Sequence, residues 1–116
     1  MSLYEYRCRV RRIIGPVSLD VDIDYGFRAW QTHPVRLDGL AQPSAEHRKQ
    51  TIEAVGNWLA AHNTDGLFTV HTIKETREKY GRYLAVLIAD DGAELNEDLL
   101  SSGLVTPYRD GAPAGD

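Results

Sequence analysis

The sequence predicts an α+β domain in which five β-strands form a barrel and two helices accompany it. Apolar and polar residues alternate along several short segments, as they do in strands that bury one face. Between the third and fourth of these segments, apolar residues recur at helical spacing. Turn residues separate the segments, and 116 residues suffice for one domain with one modest core.

Alternation predicts the first two strands. Residues 4–14 place an apolar face opposite a charged stripe of Arg7, Arg9 and Arg11, and Gly15-Pro16 ends this strand. In residues 19–23 and just beyond, apolar residues alternate with the aspartates Asp20, Asp22 and Asp24. In an antiparallel hairpin we expect the two stripes to pair across the strands, each pair contributing about 0.2–1 kcal/mol.

The remaining elements are predicted in chain order. Residues 25–34 contain glycine and proline and are predicted as a loop or wide turn, followed by a third strand at 35–40. Ser44 is the predicted N-cap of a helix that ends near Ala61. Two further strands are predicted at 67–73 and 83–89, around a turn at 75–81. A short helix at 95–102 is predicted to end at Gly103.

The predicted order is three strands, a helix, two strands and a helix, which is the order of a five-stranded OB-fold barrel. We therefore expect one domain at residues 1–109. Residues 110–116 are rich in glycine, alanine and proline, so we expect a flexible tail there.

Composition limits the classes of function. The net charge of −4 argues against strong general binding of nucleic acid, although it leaves room for a local basic groove. The sequence contains no run of 18 apolar residues, so no membrane span is predicted. The N-terminus lacks the apolar segment of a signal peptide. One cysteine, Cys8, makes no internal disulfide. The sequence thus predicts a cytoplasmic protein, or one of the host cytoplasm if the source is viral, with no membrane partner.

Two motifs contain paired arginines. Residues 35–44 read Val-Arg-Leu-Asp-Gly-Leu-Ala-Gln-Pro-Ser, and residues 78–82 read Glu-Lys-Tyr-Gly-Arg, with Asn96-Glu97 further on. Together, in this order and spacing, they resemble the staphylococcal-nuclease-like (thermonuclease) family. The family's first motif reads Val-Arg-Leu-x-Gly-Ile-Asp-x-Pro-Glu, and its upstream turn reads Asp-Gly-Asp-Thr. The resemblance covers residues 6–108 and implies the family's OB-fold barrel without its long C-terminal helix.

The resemblance also implies roles for individual residues. Enzymes of the family hydrolyse phosphodiesters with one Ca²⁺, which two aspartates hold, while a glutamate helps to activate water and two arginines grip the phosphate. Arg36 and Arg82 match these catalytic, phosphate-contacting arginines. We expect Lys79, Tyr80 and Tyr108 to join them in binding the ligand.

The family's acidic positions are occupied by other residues in this chain. The two aspartates fall on Val17 and Ala41, and the glutamate falls on Ser44. Because Ca²⁺ is bound by six to eight oxygen ligands, we expect no metal site and no cofactor, although the family uses Ca²⁺. A missing general base alone lowers a rate by about 10²–10⁴-fold. A rearranged metal site stays possible, because four other carboxylates could replace the missing ones: Asp20, Asp22, Asp38 and Glu46.

Three functions are consistent with these residues. The first is a catalytically degenerate nuclease-fold domain, a pseudoenzyme, that binds single-stranded nucleic acid, a nucleotide phosphate or a protein partner. The second is an active phosphodiesterase or endonuclease with a rearranged metal site. The third is a protein-interaction module in which the arginines are vestigial. The missing carboxylates favour the first, and the oligomeric state stays open.

Overall fold

Five strands form a closed barrel in the order β1-β2-β3-β5-β4. The computed structural model describes residues 5–77 and 83–108, with residues 74–77 described by their backbone alone. The strands are β1 (Glu5–Gly15), β2 (Ser18–Asp24), β3 (Trp30–Leu37), β4 (Phe68–Arg77) and β5 (Tyr83–Ile88). All neighbours are antiparallel except β3 and β5, which are parallel and close the barrel. The predicted five-stranded barrel with helices is confirmed.

Two α-helices accompany the barrel. α1 (Arg48–Ala61) lies between β3 and β4 in the chain and follows one turn of 3-10 helix at Ala45–His47. α2 (Leu95–Ser102) follows β5 and ends at Gly103, whose φ of 79° suits a residue without a side chain. No long helix follows α2 in the part of the chain that the structure describes, as expected. Neither described helix is long and apolar enough to span a bilayer.

One apolar core fills the barrel and continues beneath the helices. The strands contribute every second residue, so Leu19 and Val21 of β2 meet Val35 and Leu37 of β3 inside the barrel. The helices contribute buried apolar residues from one side each: Val55 and Trp58 from α1, and Leu95 and Leu99 from α2.

The third strand begins earlier than the sequence predicts. β3 starts at Trp30, which is paired with Asp24, so the predicted loop at 25–34 is wrong for residues 30–34. The predicted strand at 35–40 also ends sooner, at Leu37. β3 pairs with β5 only at residues 35–37, so Pro34 lies on a stretch that is paired on one side among the described residues. A proline is tolerated in such an edge segment.

The predicted charge pairing across the first hairpin is present in part. Arg12 Nε lies 2.8 Å from Asp20 Oδ2, and Arg11 Nη1 lies 3.8 Å from Asp22 Oδ2. An irregularity between Val10 and Arg12 places both Arg11 and Arg12 on the outer face. Such exposed ion pairs contribute little to stability.

The first arginine of the stripe pairs elsewhere. Arg7 Nη1 is 2.7 Å from Asp90 Oδ1, beyond the end of β5. This hydrogen bond raises the pKa of Arg7 and lowers the pKa of Asp90. The predicted tail at 110–116 lies outside the described residues.

Candidate functional site

The region around Arg36 lies at one end of the hairpin formed by β2 and β3. Arg36 is paired with Ser18 of β2 on one side and with Leu84 of β5 on the other. Its neighbours along the strand point into the core, so alternation places Arg36 on the outer face, where it is half-buried. Its Nη2 donates a hydrogen bond of 2.7 Å to the carbonyl oxygen of Leu40. The loop after β3 therefore folds back over the arginine.

Tyr108 lies beside Arg36, although 72 positions separate them in the chain. The Arg36 guanidinium carbon is 5.9 Å from the centre of the Tyr108 ring, within the range of a cation–π contact. The Tyr108 amide donates to the Gly39 carbonyl over 2.8 Å, and the Ala41 amide donates to Thr106 over 2.8 Å. These bonds tie the last described segment to the loop after Arg36. The structure thus brings together two of the predicted ligand-binding residues.

The other predicted ligand-binding residues, Lys79, Tyr80 and Arg82, lie outside the described residues. Their roles stay predictions. Arg82 immediately precedes Tyr83, the first residue of β5. β5 runs parallel to β3, and Leu84 is the direct neighbour of Arg36.

The three positions that the resemblance aligns with the family's carboxylates have distinct surroundings here. Val17 lies in the tight turn between β1 and β2 and is completely buried in the core, and its carbonyl oxygen accepts a 2.8 Å bond from the Leu37 amide. Ala41 is half-buried. Ser44 is exposed. The Val17 side chain therefore occupies the apolar interior, where a charged group is unfavourable.

Ser44 precedes the helical segment as predicted, but it does not cap it with its side chain. Its Oγ instead lies 3.1 Å from Nδ1 of His47, which is itself the N-cap residue of α1. This serine–histidine contact is not predicted from the sequence. The Ser-x-x-His spacing was its only signal.

The carboxylates that could replace the family's acids lie in different surroundings. Asp20 and Asp22 take part in the arginine pairs of the outer face. Glu46 is exposed in the 3-10 turn. Asp38 is half-buried, and none of the ion pairs among the described side chains joins it to Arg36. Among the described side chains, at residues 5–73 and 83–108, no three His, Cys, Asp or Glu residues form a group that could hold a metal ion.

Asn96 supports the loop that follows Arg36. Its buried amide accepts a 3.2 Å bond from the Leu87 backbone and donates to the carbonyls of Asp38, at 2.9 Å, and Ala85, at 3.1 Å. One side chain of α2 thereby joins β5 to the end of β3. Asn96 lies within a motif, but the sequence predicts no role for it, because its three partners lie 9, 11 and 58 positions away in the chain.

A comparison with protein families identifies the class of domain that this fold and site define. The family model described as "Staphylococcal nuclease homologue" matches residues 34–114, which is more than half of the chain. The chain therefore belongs to the staphylococcal nuclease homologue family, and the predicted resemblance is confirmed. The matched region includes Arg36 and Arg82 but begins after the β1–β2 turn that contains Val17. No curated protein matches the chain in a sequence search.

Proposed function

We propose that this staphylococcal-nuclease-like domain binds the phosphate of a nucleotide or of single-stranded nucleic acid at Arg36 and does not hydrolyse it. One observation carries the proposal: Arg36 lies against Tyr108 at the end of β3, while the neighbouring turn buries Val17, the position that the resemblance aligns with the family's first aspartate. A guanidinium offers five N–H donors in a planar fork that matches a phosphate. The tyrosine ring offers a face on which a base can stack.

The chemistry of the residues at positions 17, 41 and 44 argues against hydrolysis. Ca²⁺ needs several oxygen ligands, and neither Val17 nor Ala41 carries a side-chain oxygen. The exposed Ser44 hydroxyl is a poor base at neutral pH. Positioned cations bind phosphate on their own, whereas fast hydrolysis also needs an activated nucleophile and stabilisation of the developing charge.

Ligand-dependent thermal stability tests the binding half of this proposal. We expect inorganic phosphate and a nucleoside 3′,5′-bisphosphate to raise the melting temperature of the wild type. A ligand at 100 times its Kd stabilises by about 2.7 kcal/mol. The effect should decrease with added salt, since part of it is electrostatic.

Arginine variants locate the binding site. Arg36→Ala and Arg82→Ala should each remove the ligand-dependent shift while leaving a folded protein. Arg48→Ala, at an exposed position in α1, is the matched control and should retain the shift. A wild type that no phosphate ligand stabilises would instead favour the protein-interaction module.

A further inference from the structure

The hairpin of β2 and β3 ends in an exposed group of aromatic and cationic residues, which we call the hairpin tip. It consists of Phe27, Arg28 and Trp30, together with Arg9 of β1. The Phe27 side chain is fully exposed, and Trp30 is also among the exposed large apolar residues. Arg9 reaches across β2, so that its guanidinium carbon lies 4.9 Å from the Trp30 ring centre. The tip therefore presents two aromatic rings and two cations to solvent.

The backbone of the tip is unusual for the residues it contains. Phe27 and Arg28 have φ values of 54° and 64°, and the Ala29 amide closes the turn by donating to the Gly26 carbonyl over 2.9 Å. β-Turns with positive φ at both central positions favour glycine, asparagine and aspartate there. A phenylalanine and an arginine are disfavoured there by their side chains. Strained residues in an exposed turn suggest a role in binding rather than in folding.

The two arginines of the tip have no salt bridge with a described side chain, although the Asp24 carboxylate lies nearby. The nearby Asp24 carboxylate accepts a 2.8 Å bond from the Gly26 amide, and Asp22 is paired with Arg11. Among the side chains that the structure describes, neither Arg9 nor Arg28 belongs to any of the ion pairs. Their positive charge is therefore not neutralised by a described carboxylate in a salt bridge.

The tip is separate from the site at Arg36. The register pairs Ser18 with Arg36 at one end of the hairpin and Asp24 with Trp30 at the other. At about 3.3 Å per residue, the six steps from Trp30 to Arg36 correspond to roughly 20 Å. A single nucleotide bound at Arg36 does not extend this far.

We propose that the hairpin tip is a second binding surface for single-stranded nucleic acid. Bases stack on Phe27 and Trp30, and backbone phosphates pair with Arg9 and Arg28. Exposed rings combined with unneutralised arginines form the kind of surface that binds single strands without regard to sequence. The choice of ligand rests on the proposed function, which this surface extends from one phosphate to a strand.

Fluorescence anisotropy, measured in EDTA, tests the proposal. The probe is a labelled single-stranded oligonucleotide of about 16 nucleotides, which is the upper end of the length that one OB-fold binds. Stacking on one ring contributes about 1–3 kcal/mol per base, so Phe27→Ala should weaken binding by about 5–150-fold. Arg9→Ala should weaken it as well. The matched controls Ile14→Ala, an exposed apolar residue elsewhere on β1, and Arg48→Ala should bind as the wild type does.

A double variant separates binding from folding. Phe27→Asn with Arg28→Gly supplies the residues that the turn prefers, so it should raise the melting temperature and weaken oligonucleotide binding. Its stabilisation by a nucleoside bisphosphate should equal that of the wild type, because Arg36 is unchanged. The proposed function is tested by whether Arg36→Ala loses the stabilisation by the bisphosphate. The binding role of the tip is tested separately, by whether Phe27→Ala loses affinity for the oligonucleotide.

Three results would overturn the inference. The first is a wild type that does not bind the oligonucleotide. The second is a set of tip variants that bind it as tightly as the wild type. The third is a wild type that is a dimer by light scattering, together with a Phe27→Ala variant that is a monomer and binds the oligonucleotide as tightly as the wild type. The tip would then be a contact between copies of the chain.

Discussion

Val17→Asp is expected to lower the free energy of unfolding by about 3–5 kcal/mol, the typical cost of an uncompensated buried charge. Val17 is completely buried in the apolar core. Chemical denaturation of the variant measures this loss. Val17→Thr is the matched control, because it keeps the shape, adds only a hydroxyl and should cost about 1–3 kcal/mol.

The dependence of this loss on pH and Ca²⁺ distinguishes a position 17 that is buried in the core from a turn with the geometry of the family's metal-binding turn. Burial raises the pKa of an aspartate, so the loss should shrink as acid protonates the carboxyl group in the folded state. The triple variant Val17→Asp, Ala41→Asp and Ser44→Glu provides the opposing case. If it folds as stably as the wild type and gains stability from millimolar Ca²⁺, the turn has the family's geometry, and our account of Val17 is wrong.

Asn96→Ala is expected to lower the free energy of unfolding by about 2–6 kcal/mol. The substitution leaves the Leu87 amide and the Asp38 carbonyl without their side-chain partner, and each unsatisfied buried group costs about 1–3 kcal/mol. The Ala85 carbonyl loses less, because it also accepts a 2.8 Å bond from the Asp38 amide. Urea denaturation measures the loss, and the affinity for phosphate ligands should decrease with it because the loop after Arg36 loses its support.

Asn96→Asp provides the control for hydrogen-bond direction. It has the same shape and still accepts from Leu87, but it places an oxygen opposite the Asp38 and Ala85 carbonyls. At neutral pH it should therefore be less stable than Asn96→Ala, and the difference should decrease in acid. Equal stability of wild type, Asn96→Ala and Asn96→Asp would mean that this amide does not support the loop.

The sequence predicted the barrel because most strands bury one face, and a strand with one buried face alternates visibly. It missed the first half of β3 because Gln31 and Thr32 are exposed and Pro34 indicates a loop. The pairing of this segment with β2 determines its conformation, and a local pattern does not report such pairing. The irregularity at Arg11 and Arg12 was missed for the same reason.

The candidate site was predictable only where a motif contains it. Arg36 was identified by its motif, but its contact with Tyr108 depends on bonds between the loop at 39–41 and the chain near 106–108. The complete burial of Val17 depends on the path of a two-residue turn, which the sequence around Pro16 does not specify. The turn at Phe27 and Arg28 lies within a predicted loop, but its position was not predicted, because neither residue is typical of positive φ.

The measurement that tests the central claim most directly is a cleavage assay on labelled single-stranded DNA and RNA, run with Ca²⁺ and with EDTA. We expect intact substrate under both conditions, at protein concentrations that bind the oligonucleotide. Cleavage that depends on Ca²⁺, persists through further purification and is lost in Arg36→Ala would contradict the account. Asp38→Asn, Glu46→Gln and His47→Ala would then identify the groups that replace the family's carboxylates.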